Sequence, residues 1–181
     1  RSLLTQSLPR ERYEILVVDN GSTDQTPEIC ARFAEAGVRY VREPVSGLSR
    51  ARNVGWQNAR GEYIGYLDDD ATASVSWLES ALWSFQQIVP EPDWVGGPIR
   101  LAWEVPPPPW ITPELRVPLG EVDLGAEPRF LAAGERLGGG NSFYSCRRLA
   151  EMNGFDVRLG RQNRSLLSGE ETQFQHRIQA A

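Results

Sequence analysis

Residues 13–24 read YEILVVDNGSTD, an apolar run that ends abruptly in polar, turn-forming residues. The apolar part is short and rich in β-branched side chains, which is typical of a strand buried on both faces of a sheet. Asn20 and Gly21 end it. Thr26 is a good N-cap and Pro27 suits a first helical position, so the stretch predicts a strand followed by a helix.

The same alternation continues through the first half of the chain. Gly37 and Gly61 each end a predicted helix and precede a short apolar run. Strands that alternate with helices indicate an α/β sheet. The predicted elements are strands at 13–19, 38–41 and 63–67 and helices at 27–35, 50–59 and 75–88, the last with Ser76 and Glu79 as a capping box.

The second half of the chain has a different pattern. Residues 94–103 are compatible with a strand, and the prolines at 106–109 forbid regular structure after it. Residues 104–137 therefore read as a long irregular excursion, a feature that is usually functional or disordered. A glycine run leads into a predicted strand at 138–146, and a final helix is predicted at 170–179.

Length and composition narrow the class of protein. The chain has 181 residues, enough for one domain, and a net charge of −5 argues against general nucleic-acid binding. No apolar run approaches the length of a membrane-spanning helix, and no signal peptide is visible. Cys30 and Cys146 read as reduced, buried thiols of a cytosolic protein. Both ends are abrupt and residue 1 is Arg, which predicts a fragment.

Three acids, Asp68, Asp69 and Asp70, follow the third predicted strand. Strand alternation would point Asp68 and Asp70 to the same side, at the end of the sheet where α/β proteins bind ligands. Two such oxygen ligands suit Mg²⁺ or Mn²⁺ bridging substrate phosphates. The competing interpretation is that they only form a turn or cap a helix.

Two further segments carry candidate binding residues. Asp19 and Asn20 end the first strand, and although a plain Asx turn explains this segment on its own, Asp19 could bond a base or ribose. Arg50 and Arg52 occupy the first turn of a helix, where the helix dipole disfavours cations unless an anion is bound. An exposed arginine pair is the alternative. Together with the acids, the arginines suggest a nucleoside diphosphate ligand.

The segment 166–172, LLSGEET, supplies the candidate base. A carboxylate of Glu170 or Glu171 could take the proton of an acceptor hydroxyl. The spacing of Ser168 and Glu171 also fits a capping box, which is the structural alternative. His176, on the same helix, is kept out of the site. Tryptophans are assigned to the core by default, with those flanking the proline run, Trp103 and Trp110, as the exceptions.

Four stretches in order, YEILVVDNGSTD, GLSRARNVGWQNARGEYIGYLDDD, GGGNSFYSCRRLAEMNGFD and LLSGEE, closely resemble the family 2 glycosyltransferases. The resemblance implies a GT-A fold with a mostly parallel, mixed central sheet, and inverting transfer of a sugar from a nucleotide donor, commonly a UDP-sugar. It implies Glu171 as the base, with Glu170 as its rival, and Asp70 with Asp68 as ligands of Mn²⁺ or Mg²⁺. The implied donor-binding residues are Asp19, Asn20, Arg52, Asp68 and Asp69.

The resemblance also implies an organisation and a set of partners. One domain spans 1–181, with a nucleotide-binding part at about 1–103 and an acceptor-side part at about 104–181. The acceptor is a saccharide, lipid-linked or other hydroxyl, and the protein is cytoplasmic, with peripheral association at the inner membrane face left open. The family's opening strand would precede residue 1, so the sheet would lack a central strand. Glu stands where the family has its usual Asp base. A sugar nucleotidyltransferase and a non-catalytic nucleotide-sugar binder stay open as alternatives.

Overall fold

The computed structural model describes residues 1–125, 127–132, 134–162 and 167–181. Leu166, the first residue of the predicted base segment, lies outside them. The strands are β1 (Ile15–Asp19), β2 (Val38–Arg42), β3 (Tyr63–Leu67), β4 (Trp94–Gly96) and β5 (Asn141–Ser145). The helices are α1 (Thr26–Ala31), α2 (Leu48–Asn58), α3 (Trp77–Gln87), α4 (Pro113–Arg116), α5 (Cys146–Glu151) and α6 (Glu170–Gln179), with 3₁₀ turns at Ser2–Leu4, Arg10–Arg12 and Val117–Leu119.

The described strands form two sheets. β1 and β2 are parallel, with Ile15 opposite Val38. β3 and β4 each pair antiparallel with β5, which lies between them. Parallel and antiparallel pairs therefore coexist, and the predicted α/β class is confirmed.

A slot of about 480 Å³ lies between the two sheets. Among the described strands, β1 pairs only with β2 and β3 only with β5, so the facing edges of β1 and β3 have no strand between them. Many apolar side chains line the slot, and Arg52 and Asp68 are also among its lining residues. The expected lack of a central strand stays a prediction.

The main core packs α6 and α5 against the second sheet. Tyr144 of β5, Leu149 of α5 and Phe174 of α6 are fully buried, and Phe155 joins them. The rings of Tyr144 and Phe174 meet edge to face, with centroids 5.2 Å apart. Each such side chain contributes about 1.5–3 kcal/mol on burial, so this cluster fixes α6 and the carboxylates at its start.

The predicted capping residues of α1 and α3 are wrong, and the bounds of α1 differ from the prediction. Thr26 is the first helical residue, not the N-cap, and its N–H donates to Asp24 Oδ1 at 3.0 Å. α1 ends at Ala31, before the predicted residue 35. The predicted capping box of α3 is wrong: Ser76 makes no side-chain cap, and Glu79 instead accepts a hydrogen bond from Ser7.

The excursion is mostly irregular, as predicted, but it contains α4 and the 3₁₀ turn at Val117–Leu119, and it starts earlier than predicted. β4 ends at Gly96, and the predicted strand to 103 is replaced by one isolated bridge between Ile99 and Val122. Trp103 and Trp110 are exposed, which agrees with their exclusion from the core. Trp83 is also exposed, against expectation, because it lies on the outer face of α3. Gln175 of α6 hydrogen-bonds both backbone groups of Leu137, at 3.2 Å each, and so fastens the end of the excursion.

Other predictions concern the cysteines and membrane insertion. Cys30 and Cys146 are free thiols, as predicted, although both are only partly buried. Within the described residues, no helix has the length and apolar character needed to cross a bilayer.

Candidate active site

The three acids after β3 lie on a turn at the carboxyl end of the strand. Asp68 C=O accepts a hydrogen bond from Ala71 N–H at 3.1 Å, and all three acids are exposed. The strand ends at Leu67, so strand alternation does not fix the sides of Asp68 and Asp70. The pKa of Asp68 is raised, first by desolvation and then by the charges of Asp70 and Asp69, while Arg52 opposes the shift.

α6 begins at Glu170, as predicted, but without the capping box. Its N-cap is Gly169 in the left-handed region, at φ 100°, and no side chain caps the helix. Glu171 is thus not used as a cap. Both glutamates lie in the first helical turn, where the helix dipole stabilises carboxylates.

Arg52 joins α2 to both glutamates. Its guanidinium forms ion pairs with Glu170 Oε1 and, through Nη2 at 2.6 Å, with Glu171 Oε1. The arginine is 6% exposed, with the rings of Tyr66 and Phe155 at 5.9 and 5.7 Å from its central carbon. The alternative of an exposed arginine is therefore wrong for Arg52, because the side chain is buried between carboxylates and rings.

Protein groups also surround the start of α2. Leu48 N–H donates to Arg161 C=O at 3.1 Å, and Ser49 Oγ donates to Leu159 C=O at 2.7 Å. The backbone of 159–161 thus covers part of the helix start that the sequence assigned to an anion. Arg50, unlike Arg52, stays partly exposed.

Two glycines separate the acids of β3 from those of α6. A Cβ atom on Gly139 would collide with Glu171 Oε1, and one on Gly140 would lie 2.6 Å from Asp68 Oδ2. Gly139 thus borders the Glu171 carboxylate and Gly140 borders the Asp68 carboxylate. Asp68 and Glu171 therefore both contact the short segment that precedes β5. No larger residue fits at either position without displacing a carboxylate.

The two glutamates of α6 differ in their surroundings. The Glu170 side chain is 2% exposed and its Oε2 has no hydrogen-bond partner, whereas the Glu171 side chain is 19% exposed. The pKa of Glu171 is raised, because burial and the charge of Glu170 outweigh the opposing charge of Arg52. A partly exposed carboxylate with a raised pKa can exchange a proton with a bound hydroxyl.

The acids and amides at the end of β1 are bonded within the protein. Asp19 is 2% exposed and accepts hydrogen bonds from Ser22 N–H at 2.7 Å and from the Tyr40 hydroxyl at 2.5 Å. These bonds lower its pKa. Asn20 bonds Glu43 C=O, Val45 C=O and Gly47 N–H, and so organises the loop before α2. Asp19 thus holds the turn after β1 through a residue three positions on, and the predicted ligand contacts of Asp19 and Asn20 stay predictions.

Sequence reasoning missed several residues of the site. Tyr40 lies in an ordinary-looking strand, and nothing near it marks it as a partner of Asp19. The glycine run 138–140 was predicted to lead into β5, and the resemblance implies that residues 138–142 line the donor-sugar and acceptor side. The close approach of Glu171 and Asp68 to Gly139 and Gly140 was not predicted, although consecutive glycines can signal close approach of other groups. The excluded residue His176 is exposed and contacts Arg136, so no structural finding brings it into the site.

The acid cluster fits a divalent cation in its charge and in its ligand chemistry. Asp69 and Asp70 lie beside Asp68, and their charges add to desolvation in raising the pKa of Asp68, while Arg52 opposes the shift. Within the described residues no three His, Cys, Asp or Glu side chains are arranged to hold a metal. Magnesium-type ions commonly use one or two carboxylates and take their remaining ligands from substrate phosphates and water. Asp68 and Asp70 could supply those two.

The fold is that of GT-A glycosyltransferases of known structure. The structure matches S. aureus TarS in complex with UDP at a TM-score of 0.70 and 20% identity, over 96% of this chain and 47% of that one. It matches the Pyrobaculum calidifontis mannosyltransferase PcManGT, in complex with GDP-Man and Mn²⁺, at a TM-score of 0.68 and 20% identity, over 98% of this chain and 46% of that one.

The sequence comparison gives the family. The model described as Glycosyl transferase family 2 matches residues 1–108, and the chain belongs to that family. Glycosyltransferase GlyA of Streptococcus pneumoniae serotype 4 is 40% identical over 80 residues, which are 43% of this chain and 10% of GlyA. The chain thus spans under half of the two solved neighbours and a tenth of GlyA. The family assignment favours sugar transfer over nucleotidyl transfer.

Proposed function

We propose that the protein containing this chain transfers a sugar from a nucleotide donor, with UDP-sugars favoured, to an acceptor hydroxyl with inversion. Family membership supports the reaction class, and TarS and PcManGT, which share the fold, were solved with UDP and with GDP-Man. The observation that carries the proposal is the approach of Asp68 and Glu171 to the adjacent glycines Gly140 and Gly139. The approach of both carboxylates to one short segment supports a site in which Asp68 faces the donor and Glu171 acts as the base.

Glu171 is the proposed base. It takes the proton of the acceptor hydroxyl while that oxygen bonds to the anomeric carbon and the bond to the nucleoside diphosphate breaks. Its raised pKa suits this role, because a base with a pKa nearer to neutral is stronger than an ordinary carboxylate. Glu170, nearly inaccessible, is assigned no contact with the acceptor.

The acids after β3 are proposed to hold the donor. Asp68 and Asp70 would ligate Mn²⁺ or Mg²⁺, which, when bound, offsets the charge that develops on the departing diphosphate. Asp69, Asp19 and Asn20 are the donor-binding residues proposed from the resemblance. The resemblance also implies Arg52, whose burial between two carboxylates supports the different role that is inferred below. The division into a nucleotide-binding part at about 1–103 and an acceptor-side part at about 104–181 belongs to the same proposal.

A donor screen tests the proposal. Nucleotide release from UDP-Glc, UDP-Gal, UDP-GlcNAc and GDP-Man would be followed with the full-length protein, with and without Mn²⁺. Turnover of one donor that requires the metal is the expected result. Donor binding without turnover under every condition would instead identify a nucleotide-sugar binder.

A further inference from the structure

Protein groups contact the Arg52 side chain on several sides. Its guanidinium is buried, bonded to two carboxylates, and flanked by the rings of Tyr66 and Phe155. The Tyr66 hydroxyl also donates to Arg52 C=O at 3.1 Å, which ties the backbone of α2 to β3. A planar fork fixed at both ends can orient a carboxylate more narrowly than a flexible ammonium can.

We infer that Arg52 is a positioning residue that aims the Glu171 carboxylate at the acceptor, and that Glu170 serves as the buried counter-charge holding Arg52 in place. The inference rests on the proposed function, in which Glu171 is the base. It gives Arg52 a role different from the diphosphate contact that the resemblance implies.

The contacts of Glu171 support this role. One oxygen, Oε1, lies 2.6 Å from Arg52 Nη2 and is also the oxygen that a Cβ on Gly139 would strike. Oε1 is therefore confined between a guanidinium and a glycine backbone. The proton of the acceptor would then pass to the other oxygen, Oε2.

The contacts of Glu170 support a role for it that differs from that of Glu171. Its carboxylate pairs with Arg52 through Oε1 and points to the interior, where the carboxyl carbon would lie 3.4 Å from a Cβ on Gly160. No acceptor can reach a side chain that is 2% exposed. Its charge balances the guanidinium, which would otherwise be strongly penalised by burial.

Diphosphate binding by Arg52 predicts a different structure. A phosphate would have to displace one of the two carboxylates or reach a guanidinium that is 6% exposed. The positioning role needs no rearrangement. The two roles therefore separate in steady-state kinetics, because a lost donor contact raises KM and a misaimed base lowers kcat.

The test is Arg52→Lys in the full-length protein, with the donor that the screen identifies. Lys keeps the charge and loses the fork, so we expect kcat to fall by about 100-fold and donor KM to change less than about twofold. Arg147→Lys, an exposed arginine of α5 paired with Glu151, is the matched control and should leave both constants unchanged. A KM increase of about tenfold or more with kcat retained would overturn the positioning role.

A second variant changes the glycine that borders Glu171 on the side away from Arg52, and it alters no charge. Gly139→Ala should lower kcat selectively, because the new methyl group displaces Oε1. Gly55→Ala is the control, since a Cβ there meets its nearest atom at an ordinary 3.6 Å. Unchanged kcat in Gly139→Ala, with thermal melting showing a folded protein, would contradict the confinement of Glu171.

The outcomes also separate the two proposals. An unsubstituted protein that turns over no nucleotide sugar would overturn the proposed function and the positioning role with it. An active parent whose Arg52→Lys variant loses donor affinity instead of turnover number would overturn the positioning role alone. If Arg52→Lys does not fold, Glu170→Gln takes its place: the Arg52 counter-charge is lost, and kcat should fall with KM retained.

Discussion

An aspartate is the last residue of β1 and another directly follows β3, and the pKa values of the two are shifted in opposite directions. At the end of β1, Asp19 is buried, both oxygens accept hydrogen bonds, and its pKa is lowered. After β3, Asp68 is exposed beside two more acids and its pKa is raised. The difference is that hydrogen-bond donors of the protein satisfy the first carboxylate, whereas desolvation and then the charges of Asp70 and Asp69 act on the second.

The contrast separates a structural acid from one suited to a ligand. A carboxylate already bonded to Ser22 and Tyr40 stabilises the fold around β1 and β2. Carboxylates that repel one another gain from a bound cation. We therefore expect substitutions at the end of β3 to change activity at little cost in stability, and substitutions at the end of β1 to change stability first.

The largest effect is expected for Asp70→Ala. Losing a proposed metal ligand should lower Mn²⁺-dependent donor turnover by about three orders of magnitude, since a metal ion contributes several kcal/mol to charge stabilisation. Nucleotide release measured over a Mn²⁺ titration checks this, with the exposed Asp123→Ala as control. Full turnover in Asp70→Ala would contradict a metal site after β3. The acids there would then not differ from Asp19 by holding a ligand.

The next effect concerns the paired glutamates. Glu171→Gln should lower kcat by about 10²–10⁴-fold, the usual contribution of a general base. Glu170→Gln should cost less, because it leaves the base in place and removes only the partner of Arg52. Measuring kcat for both variants shows which substitution causes the larger loss. A larger loss in Glu170→Gln would transfer the base role to the buried acid.

A smaller effect, in stability, is expected at the end of β1. Asp19→Asn should lower the free energy of unfolding by about 1.5–3 kcal/mol at pH 7, because it weakens hydrogen bonds to a charged acceptor. Urea denaturation measures it. An accompanying rise in donor KM would show that Asp19 binds the nucleotide as well, which would blur the contrast with Asp68.

The same substitution has a pH signature. The pKa of Asp19 is lowered in the folded state, so its stabilisation is present above the unfolded pKa of about 3.9 and is lost as the pH falls through the lower folded pKa. The stability gap between the unsubstituted protein and Asp19→Asn should therefore narrow below about pH 4. A gap that widens in acid would mean that the Asp19 carboxylate is not the stabilising form.

The smallest effect is expected for Tyr40→Phe. It removes one neutral donor from Asp19 and should lower the free energy of unfolding by less than Asp19→Asn does, with nucleotide release unchanged. Denaturant melts at neutral pH are sufficient. A loss of turnover comparable to that of Asp70→Ala would show that the β1 end is catalytic.

Much of the fold was predictable because its signals are local. β3 and α6 begin and end where the apolar period and the glycines predicted. The strand at 94–103 could not be placed correctly, since Gly96, Gly97 and Pro98 interrupt a run whose apolar content still resembles a strand. The resemblance identified the family, which the family match confirms.

The candidate site was predictable in its residues and not in their contacts. Arg52 is separated from Glu170 by 118 positions, and no local pattern predicts that it forms ion pairs with Glu170 and Glu171. The capping box at Ser168 matched a local rule that the structure does not use, because Gly169 takes the N-cap position. Packing between segments that are distant in the sequence decides which residue caps a helix and which residues form ion pairs. The spacing of residues within one segment does not predict that packing.

Gln175 ties the helix that carries both glutamates to Leu137, two residues before Gly139. Helix and glycine run are therefore coupled mechanically: a displacement of one drags the other, and the gap that confines Glu171 keeps its width. A substitution in the excursion near Leu137 could therefore alter the position of the helix that carries Glu170 and Glu171 without changing either glutamate.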